Sequence, residues 1–240
     1  MTVCVAAIAN GGSEIIVAAD NMVTLVVGQS IQYQKEDNNH KKIWNILPGI
    51  YALFSGALHI QEPLLRLSLG KIRPNSSPFE VATILRSSLQ EFYLQKCEEE
   101  ILLRLNLTWK AFIEKQQQLS PEFVRDLLQK INGFILDIQV IIAGFDSNSG
   151  QPFLGLVVGN GILFEKTLEG WLTSGGGGEL AKFSLILHDY TISLSAEKAE
   201  SLVRQAVSDA KRSPGVGDLG EVIIIPKPTS QTVPEPPKPV

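Results

Sequence analysis

Three residues near the start of the chain could together carry out acyl transfer. Thr2 follows Met1 directly, Asp20 ends an apolar run, and Lys42 begins another. A threonine hydroxyl is a weak nucleophile until a base takes its proton. If Met1 is removed, Thr2 also has a free α-amine, whose ordinary pKa of about 7.7–8.0 suits a base near neutral pH. A nearby Lys ammonium would favour the neutral, basic form of this amine, and a carboxylate could hold that Lys in place.

Each of these residues also has an ordinary structural interpretation. If Met1 stays, Thr2 is a simple strand residue and the chemistry disappears. An Asp after a strand is commonly a turn residue, and a Lys at the start of a strand is commonly solvated. Only the joint arrangement of Thr2, Asp20 and Lys42 favours the catalytic interpretation.

Two predicted hairpins would have to bring these residues together. The first has apolar strands over 2–9 and 14–20, joined by an Asn-Gly-Gly-Ser turn, a composition that accepts positive φ cheaply. The second has strands over 41–47 and 50–54, joined by a Pro-Gly turn. Both strands of the first hairpin are almost wholly apolar, which predicts that both of their faces are covered.

Beyond the hairpins, helices and strands follow in separate groups, while residues 21–40 have a less regular pattern. Apolar spacing of three and four, together with cap and turn residues, indicates the remaining elements. They are helices over 57–72, 79–118 (as one helix or two in succession), 121–132, 179–188 and 195–212, and strands over 134–145, 153–158, 162–165 and 221–225. This segregation favours an α+β fold, with two antiparallel sheets between helix layers, over a parallel βαβ sheet.

Composition narrows the function classes. The 240 residues, 44% hydrophobic and 19% charged, suit one domain with a sizeable core. We expect that domain over 1–225, with an enlarged helical segment at 79–132. A Pro-rich tail over 226–240 is expected to be disordered. A net charge of −4 without a basic block argues against nucleic-acid binding.

The chain also lacks the patterns of membrane and metal proteins. No segment reaches the roughly 18 uninterrupted apolar residues of a membrane span, and no signal-peptide pattern opens the chain, so we expect a cytoplasmic protein. His40, His59 and His188 have no metal-ligand or triad spacing. Cys4 and Cys97 are expected to be buried or half-buried thiols.

The joint arrangement resembles the proteasome β-subunit family, including its simpler bacterial relatives. The resemblance covers residues 1–60 well and continues more loosely beyond them. The motifs that carry it are Thr2, Gly11-Gly12, Val17-Ala18-Ala19-Asp20, Lys41-Lys42-Ile43, Pro48 and Gly56. It implies a four-layer αββα sandwich of two antiparallel sheets between helix layers, the fold of N-terminal-nucleophile (Ntn) hydrolases.

The resemblance also implies roles for individual residues. Thr2 is the nucleophile, Lys42 the cation that lowers the pKa at the nucleophile, and Asp20 the partner of Lys42. Gly56 lends its backbone N–H to the oxyanion hole, which stabilises the tetrahedral intermediate.

Two later loops are similar to supporting loops of the family. In residues 173–178 the family's supporting Ser falls on Ser174, or on Gly176 if the loop is anchored on the helix that follows. Asp218, in the loop after the last long helix, could substitute for a supporting Asp.

The implied function is a threonine peptidase that cleaves peptide bonds after removal of Met1, without a metal or organic cofactor. Its substrates would be peptides or unfolded proteins, and its partners a homo-oligomeric ring of subunits and an ATP-dependent unfoldase. Two alternatives stay open: a catalytically inactive proteasome-like scaffold or assembly subunit, and an Ntn amidase that acts on a small amide.

Overall fold

The computed structural model describes residues 2–27, 31–37 and 40–228, which form a mixed α+β fold of antiparallel sheets and helices. The strands are β1 (Cys4–Ala9), β2 (Glu14–Asp20), β3 (Met22–Val27), β4 (Ile31–Glu36), β5 (Ile43–Leu47), β6 (Ile50–Gly56), β7 (Ile138–Phe145), β8 (Pro152–Val158), β9 (Ile162–Glu165), β10 (Trp171–Ser174) and β11 (Leu219–Pro226). The helices are α1 (Leu58–Leu69), α2 (Pro78–Cys97), α3 (Trp109–Lys115), α4 (Pro121–Gly133), α5 (Gly178–Leu187) and α6 (Ala196–Ala210).

The two hairpins predicted near the start of the chain form in two different sheets. The first sheet has the strand order β10-β1-β2-β11, and the second has the order β5-β6-β7-β8-β9. Neighbouring strands in both sheets are antiparallel. Thr2 and Asp20 therefore belong to the first sheet, while Lys42 directly precedes β5 of the second.

Alternating side chains of β1 pack against two different layers. Val5 and Ala7 contact a core shared with α5 and α6. Cys4 and Ala6 face a core shared with the second sheet. Every residue of β1 is buried, so the prediction that both faces of this hairpin are covered is confirmed. By the same alternation, Thr2 lies on the side that faces the second sheet.

The other face of the second sheet is covered by helices. Residues of α1 and α2, such as Leu64 and Leu85, form a core there with Val140 and Ile142 of β7. Helices α3 and α4 belong instead to a small separate core around Phe112. The enlarged helical segment thus adds its own core beside the main one.

Two features were not predicted from the sequence. Residues 22–27 and 31–36 form a two-stranded antiparallel ribbon, β3–β4, in the segment expected to be less regular, although Ile31 to Gln34 alternate between apolar and polar residues. Strand β10 is only four residues long and lies between Gly170 and Gly175, too short to give a pattern. Residues 79–118, expected as one helix or two in succession, form the two helices α2 and α3. Between them, a π-helical turn and a 3₁₀ turn lead to Asn106 at a φ of 56°.

At its end, β11 extends into the segment expected to be a tail. Pro226 pairs with Glu14 at the edge of the first sheet, where a residue without an N–H is tolerated. Residues 229–240 lie outside the described residues. Within the described part, no helix is long and apolar enough to cross a membrane.

Candidate active site

Lys42 lies at the centre of a buried polar cluster between the two sheets. Its ammonium donates hydrogen bonds to Thr2 Oγ1 at 3.0 Å, Asp20 Oδ1 at 2.8 Å and Met22 O at 2.7 Å. An ammonium has three N–H donors, so these acceptors use all of them. The side chains of Lys42 and Asp20 are 5% and 0% exposed, and buried charges persist only when they are paired and hydrogen-bonded. The cluster thus fixes the ammonium against the threonine hydroxyl.

Asp20 is held by backbone donors from three parts of the chain. Besides the Lys42 ammonium, Oδ1 accepts a hydrogen bond from the N–H of Val3 at 2.9 Å. Oδ2 accepts from the N–H groups of Met22 at 3.2 Å and Gly217 at 2.9 Å. Charge-assisted hydrogen bonds of this kind are stronger than neutral ones. The carboxylate is therefore fixed in one orientation, in which it can position Lys42.

The glycine loop before α5 closes on the backbone of Thr2. The N–H of Gly177 donates to the carbonyl of Thr2 at 3.1 Å. Gly175 has a φ of +85°, and a Cβ at this position would lie 2.2 Å from the same carbonyl oxygen. Only glycine fits so close an approach at a positive φ. Thr2 is 6% exposed, and its backbone is fixed while its hydroxyl faces Lys42.

Ser174 belongs to a set of contacts that joins the two sheets beside Thr2. Ser174 is buried, and its hydroxyl accepts a hydrogen bond from Ser55 Oγ of β6 at 3.0 Å. The N–H of Gly175 donates to Gln139 Oε1 of β7 at 3.0 Å. Neither Ser55 nor Gln139 was predicted from the sequence. Ser55 is marked there only by its position before Gly56, and Gln139 only as a single polar residue in an apolar strand.

Gly56 ends β6 with its backbone close to the start of β7. Its φ is +106°, and a Cβ there would lie 2.3 Å from the carbonyl oxygen of Asp137. The N–H of Phe54 donates to the carbonyl of Lys42 at 2.9 Å. Since N–H groups alternate in direction along a strand, the Gly56 N–H points to the same side, away from β7. Gly56 also lines both pockets beside Thr2, which places a backbone donor near the hydroxyl.

Two pockets meet at Thr2. The smaller, of about 30 Å³, is lined by residues from the β3, β5, β6 and α1 regions, including His40, Phe54 and Gln61. The larger, of about 280 Å³, is lined by Asp137 and Gln139 of the β7 region, and by the glycine loop with Gly176. The larger pocket gives a substrate group room beside the hydroxyl of Thr2, whereas the smaller one has room for only about two waters.

His40 gives the smaller pocket a polar wall. Burial lowers the pKa of His40, and the charge of Lys42 lowers it further, against the opposing effects of Asp37 and Gln61. The imidazole therefore favours its neutral form, which avoids a second positive charge beside the Lys42 ammonium.

Cys4 is the other nucleophilic side chain close to this cluster. Burial raises its pKa to about 12, against the lowering effect of Lys42, and its thiol donates to the carbonyl of Phe54 at 3.5 Å. A thiol rather than a thiolate is a poor nucleophile, so Cys4 does not compete with the hydroxyl of Thr2.

Of the two remaining residues named from the sequence, Gly176 joins the site and Asp218 lies apart. Gly176 lines the larger pocket, and its carbonyl accepts from Ser213 Oγ at 3.2 Å. The Asp218 carboxylate pairs with Lys211 and is 59% exposed, and this hydrogen-bonded pairing lowers the pKa of that carboxyl. The loop that contains Asp218 contacts the cluster through the N–H of Gly217, which donates to Asp20 Oδ2.

Among the described residues, no group of three or more His, Cys, Asp or Glu side chains could hold a metal ion. No protein-family model matches the chain, and no curated protein matches it.

Proposed function

We propose that the protein is a threonine peptidase that cleaves peptide bonds with Thr2 as its nucleophile, once Met1 has been removed. The observation that carries this proposal is the Lys42 ammonium, which contacts Thr2 Oγ1 and the Asp20 carboxylate at once. A hydroxyl held against a buried, carboxylate-paired lysine is the arrangement that activation of an N-terminal threonine needs.

The first half of the reaction acylates Thr2. The free α-amine of Thr2 takes the proton of Oγ1, and Oγ1 attacks the carbonyl carbon of the substrate. Lys42 stabilises the negative charge that develops on Oγ1, while Asp20 holds the ammonium in place. The Gly56 N–H stabilises the oxyanion of the tetrahedral intermediate. The C–N bond then breaks, and the leaving amine takes the proton back from the α-ammonium of Thr2.

The second half releases the product. The acyl group is now an ester on Thr2 Oγ1, and the α-amine of Thr2 takes a proton from an attacking water. The second tetrahedral intermediate collapses by breaking the C–Oγ1 bond, and Oγ1 regains its proton from the α-ammonium. The products are a carboxylic acid and an amine, so no metal or organic cofactor is required.

The packing of the sheets is consistent with this chemistry. One sheet carries α5 and α6 on its outer face, the other carries α1 and α2, and the two sheets share a core. This order of layers supports assignment to the four-layer αββα sandwich of Ntn hydrolases.

The contacts of the site favour a peptidase over an amidase that acts on a small amide. Asp20 and Lys42 meet at Thr2, which is the placement that the resemblance to the proteasome β-subunit family implies. The homo-oligomeric ring, the ATP-dependent unfoldase partner and the cytoplasmic location belong to the same proposal, and they rest on the family resemblance alone.

Two forms of the chain test the proposal. One form retains Met1, and the other is released from a cleavable fusion so that Thr2 is its first residue. We expect peptide hydrolysis from the Thr2-first form only, and none from its Thr2→Ala variant. Equal hydrolysis by all three would contradict the proposal. Absence of hydrolysis by the Thr2-first form on a broad peptide mixture would favour the inactive scaffold.

A further inference from the structure

Asp137 places a carboxylate on the wall of the larger pocket beside Thr2. Its side chain is exposed, and it takes part in none of the ion pairs found among the described residues. Its carbonyl oxygen accepts a hydrogen bond from the N–H of Ala57 at 2.6 Å, which anchors its backbone to the end of β6. The carboxylate is thus on a fixed backbone and accessible to a ligand.

Asp137 lines the pocket from the turn that precedes β7. In that turn the N–H of Ile138 donates to the carbonyl of Leu136 at 2.8 Å. The next residue but one, Gln139, lies on the face of β7 that looks toward the first sheet, and its side chain accepts from the N–H of Gly175. Asp137 and Gln139 line the same pocket as Thr2.

Among the residues that the structure describes, none besides Asp137 gives this pocket a charged wall. Its lining residues are Thr2, Ser55, Gly56, Asp137, Gln139, Gly175 and Gly176. Asp137 alone among them has an ionisable side chain, and the Lys42 ammonium is fully engaged on the other side of Thr2. A group that fills the pocket therefore meets one negative charge and a set of neutral polar groups.

We propose that Asp137 is a specificity residue that selects a positively charged group of the peptide next to the scissile bond. The inference rests on the proposed peptidase function. The pocket volume of about 280 Å³ is below the roughly 300–1,000 Å³ of sites that hold a whole small molecule, and it suits a single group. That group is an ammonium or guanidinium, from a Lys or Arg side chain or from the free α-amine of a short peptide.

A matched peptide series measures this selection. Each peptide carries Lys, Gln or Glu at one position beside the cleavage site, with a free or an acetylated N-terminus. For the Thr2-first enzyme we expect kcat/KM to be about tenfold higher with Lys than with Gln at one of these positions, equivalent to about 1.4 kcal/mol. A preference for Lys that survives acetylation assigns the cation to the side chain. Equal rates with Lys and Gln that fall about tenfold on acetylation assign it to the α-amine.

Asp137→Asn should reduce this ratio to near one, and Asp137→Lys should favour Glu. Asp189→Asn, an exposed Asp just beyond the C-terminal end of α5, should match the wild type. An unchanged Lys-to-Gln ratio in an active Asp137→Asn enzyme would overturn the inference.

Binding separates this inference from the proposed function. The Thr2→Ala chain should bind a fluorescent Lys peptide about tenfold more tightly than its Gln counterpart, and the added Asp137→Asn substitution should abolish the difference. This preference without any hydrolysis by the Thr2-first enzyme would reject the peptidase but keep Asp137 as a cation site. Equal binding of both peptides by Thr2→Ala, unchanged when their N-termini are acetylated, would overturn the role of Asp137.

Discussion

Lys42 Nζ lies 3.0 Å from Thr2 Oγ1, although 40 residues separate them along the chain and they lie at the ends of different sheets. The contact depends on how the two sheets pack, because neither hairpin alone contains both residues. The site is thus a product of the tertiary fold, and substitutions that shift one sheet against the other should damage it.

Replacing Lys42 should lower activity strongly and also destabilise the fold. Lys42→Ala removes the cation beside Thr2 Oγ1, and we expect kcat to fall by about 10²–10³, the usual loss for a donor that stabilises the transition state. It also leaves the buried Asp20 carboxylate unpaired, which costs about 3–5 kcal/mol. Peptide hydrolysis and urea denaturation measure the two effects.

The neighbouring Lys41 provides the matched control for Lys42. Lys41 is exposed, and its ammonium lies 5.4 Å from the centre of the Trp44 ring. Because exposed charges contribute little, Lys41→Ala should change kcat less than twofold. Equal losses of activity in the two variants would show that general charge, rather than contact with Thr2, is responsible.

Gly175→Ala should disturb Thr2 through its backbone. The new Cβ would lie 2.2 Å from the carbonyl oxygen of Thr2 at a φ of +85°, so both strain and a clash arise. Gly49→Ala isolates the strain, because Gly49 has a φ of +75° with no atom within 4 Å of the added Cβ.

We expect Gly49→Ala to cost about 1–2 kcal/mol without loss of activity. Gly175→Ala should lose more stability, and its kcat should fall by at least tenfold. Thermal unfolding with parallel peptide assays compares them, and the account of the loop fails if the two variants behave alike.

His40 should make the fold less stable in mild acid. Burial and the charge of Lys42 lower the pKa of His40 from its ordinary value of 6.5, so the unfolded chain takes up the proton first as the pH falls. The free energy of unfolding therefore has its full value with respect to His40 above about pH 6.5. It decreases as the pH falls from there toward the pKa of His40 in the folded state.

Urea denaturation at pH 7.5 and 5.5 tests the role of His40. His40→Gln should lose less stability than the wild type between these values. His59→Gln, at an exposed position of α1, should lose as much as the wild type. An identical pH dependence of the wild type and His40→Gln would contradict the assignment.

The sequence predicted the parts of the site that lie at strand ends. Thr2, Asp20 and Lys42 could be named because each directly adjoins an apolar strand, and the structure brings them into contact. Gly217 could not be named, since its N–H donates to Asp20 from 197 residues away. Only the pairing of β11 with β2 brings it there.

The side-chain direction of a loop residue could not be predicted from the sequence either. Asp218 has the right type and lies in the right loop, but its carboxylate turns outward to Lys211 while the backbone beside it serves Asp20. The β3–β4 ribbon was missed although Ile31 to Gln34 alternate between apolar and polar residues, because the alternation covers only four residues before the charged pair Lys35-Glu36. Local patterns thus identify elements and their ends, whereas contacts between sheets require the fold.

The most direct test of the central claim is to identify the atom that becomes acylated. The Thr2-first enzyme is treated with an acylating peptide probe, quenched in acid and digested, and the modified fragment is sequenced by mass spectrometry. We expect one acyl group on the fragment that begins with Thr2, about 10²–10³ slower labelling after Lys42→Ala, and no labelling in the chain that retains Met1. Acylation of another residue, or equal labelling of the chain that retains Met1, would contradict Thr2 as the nucleophile.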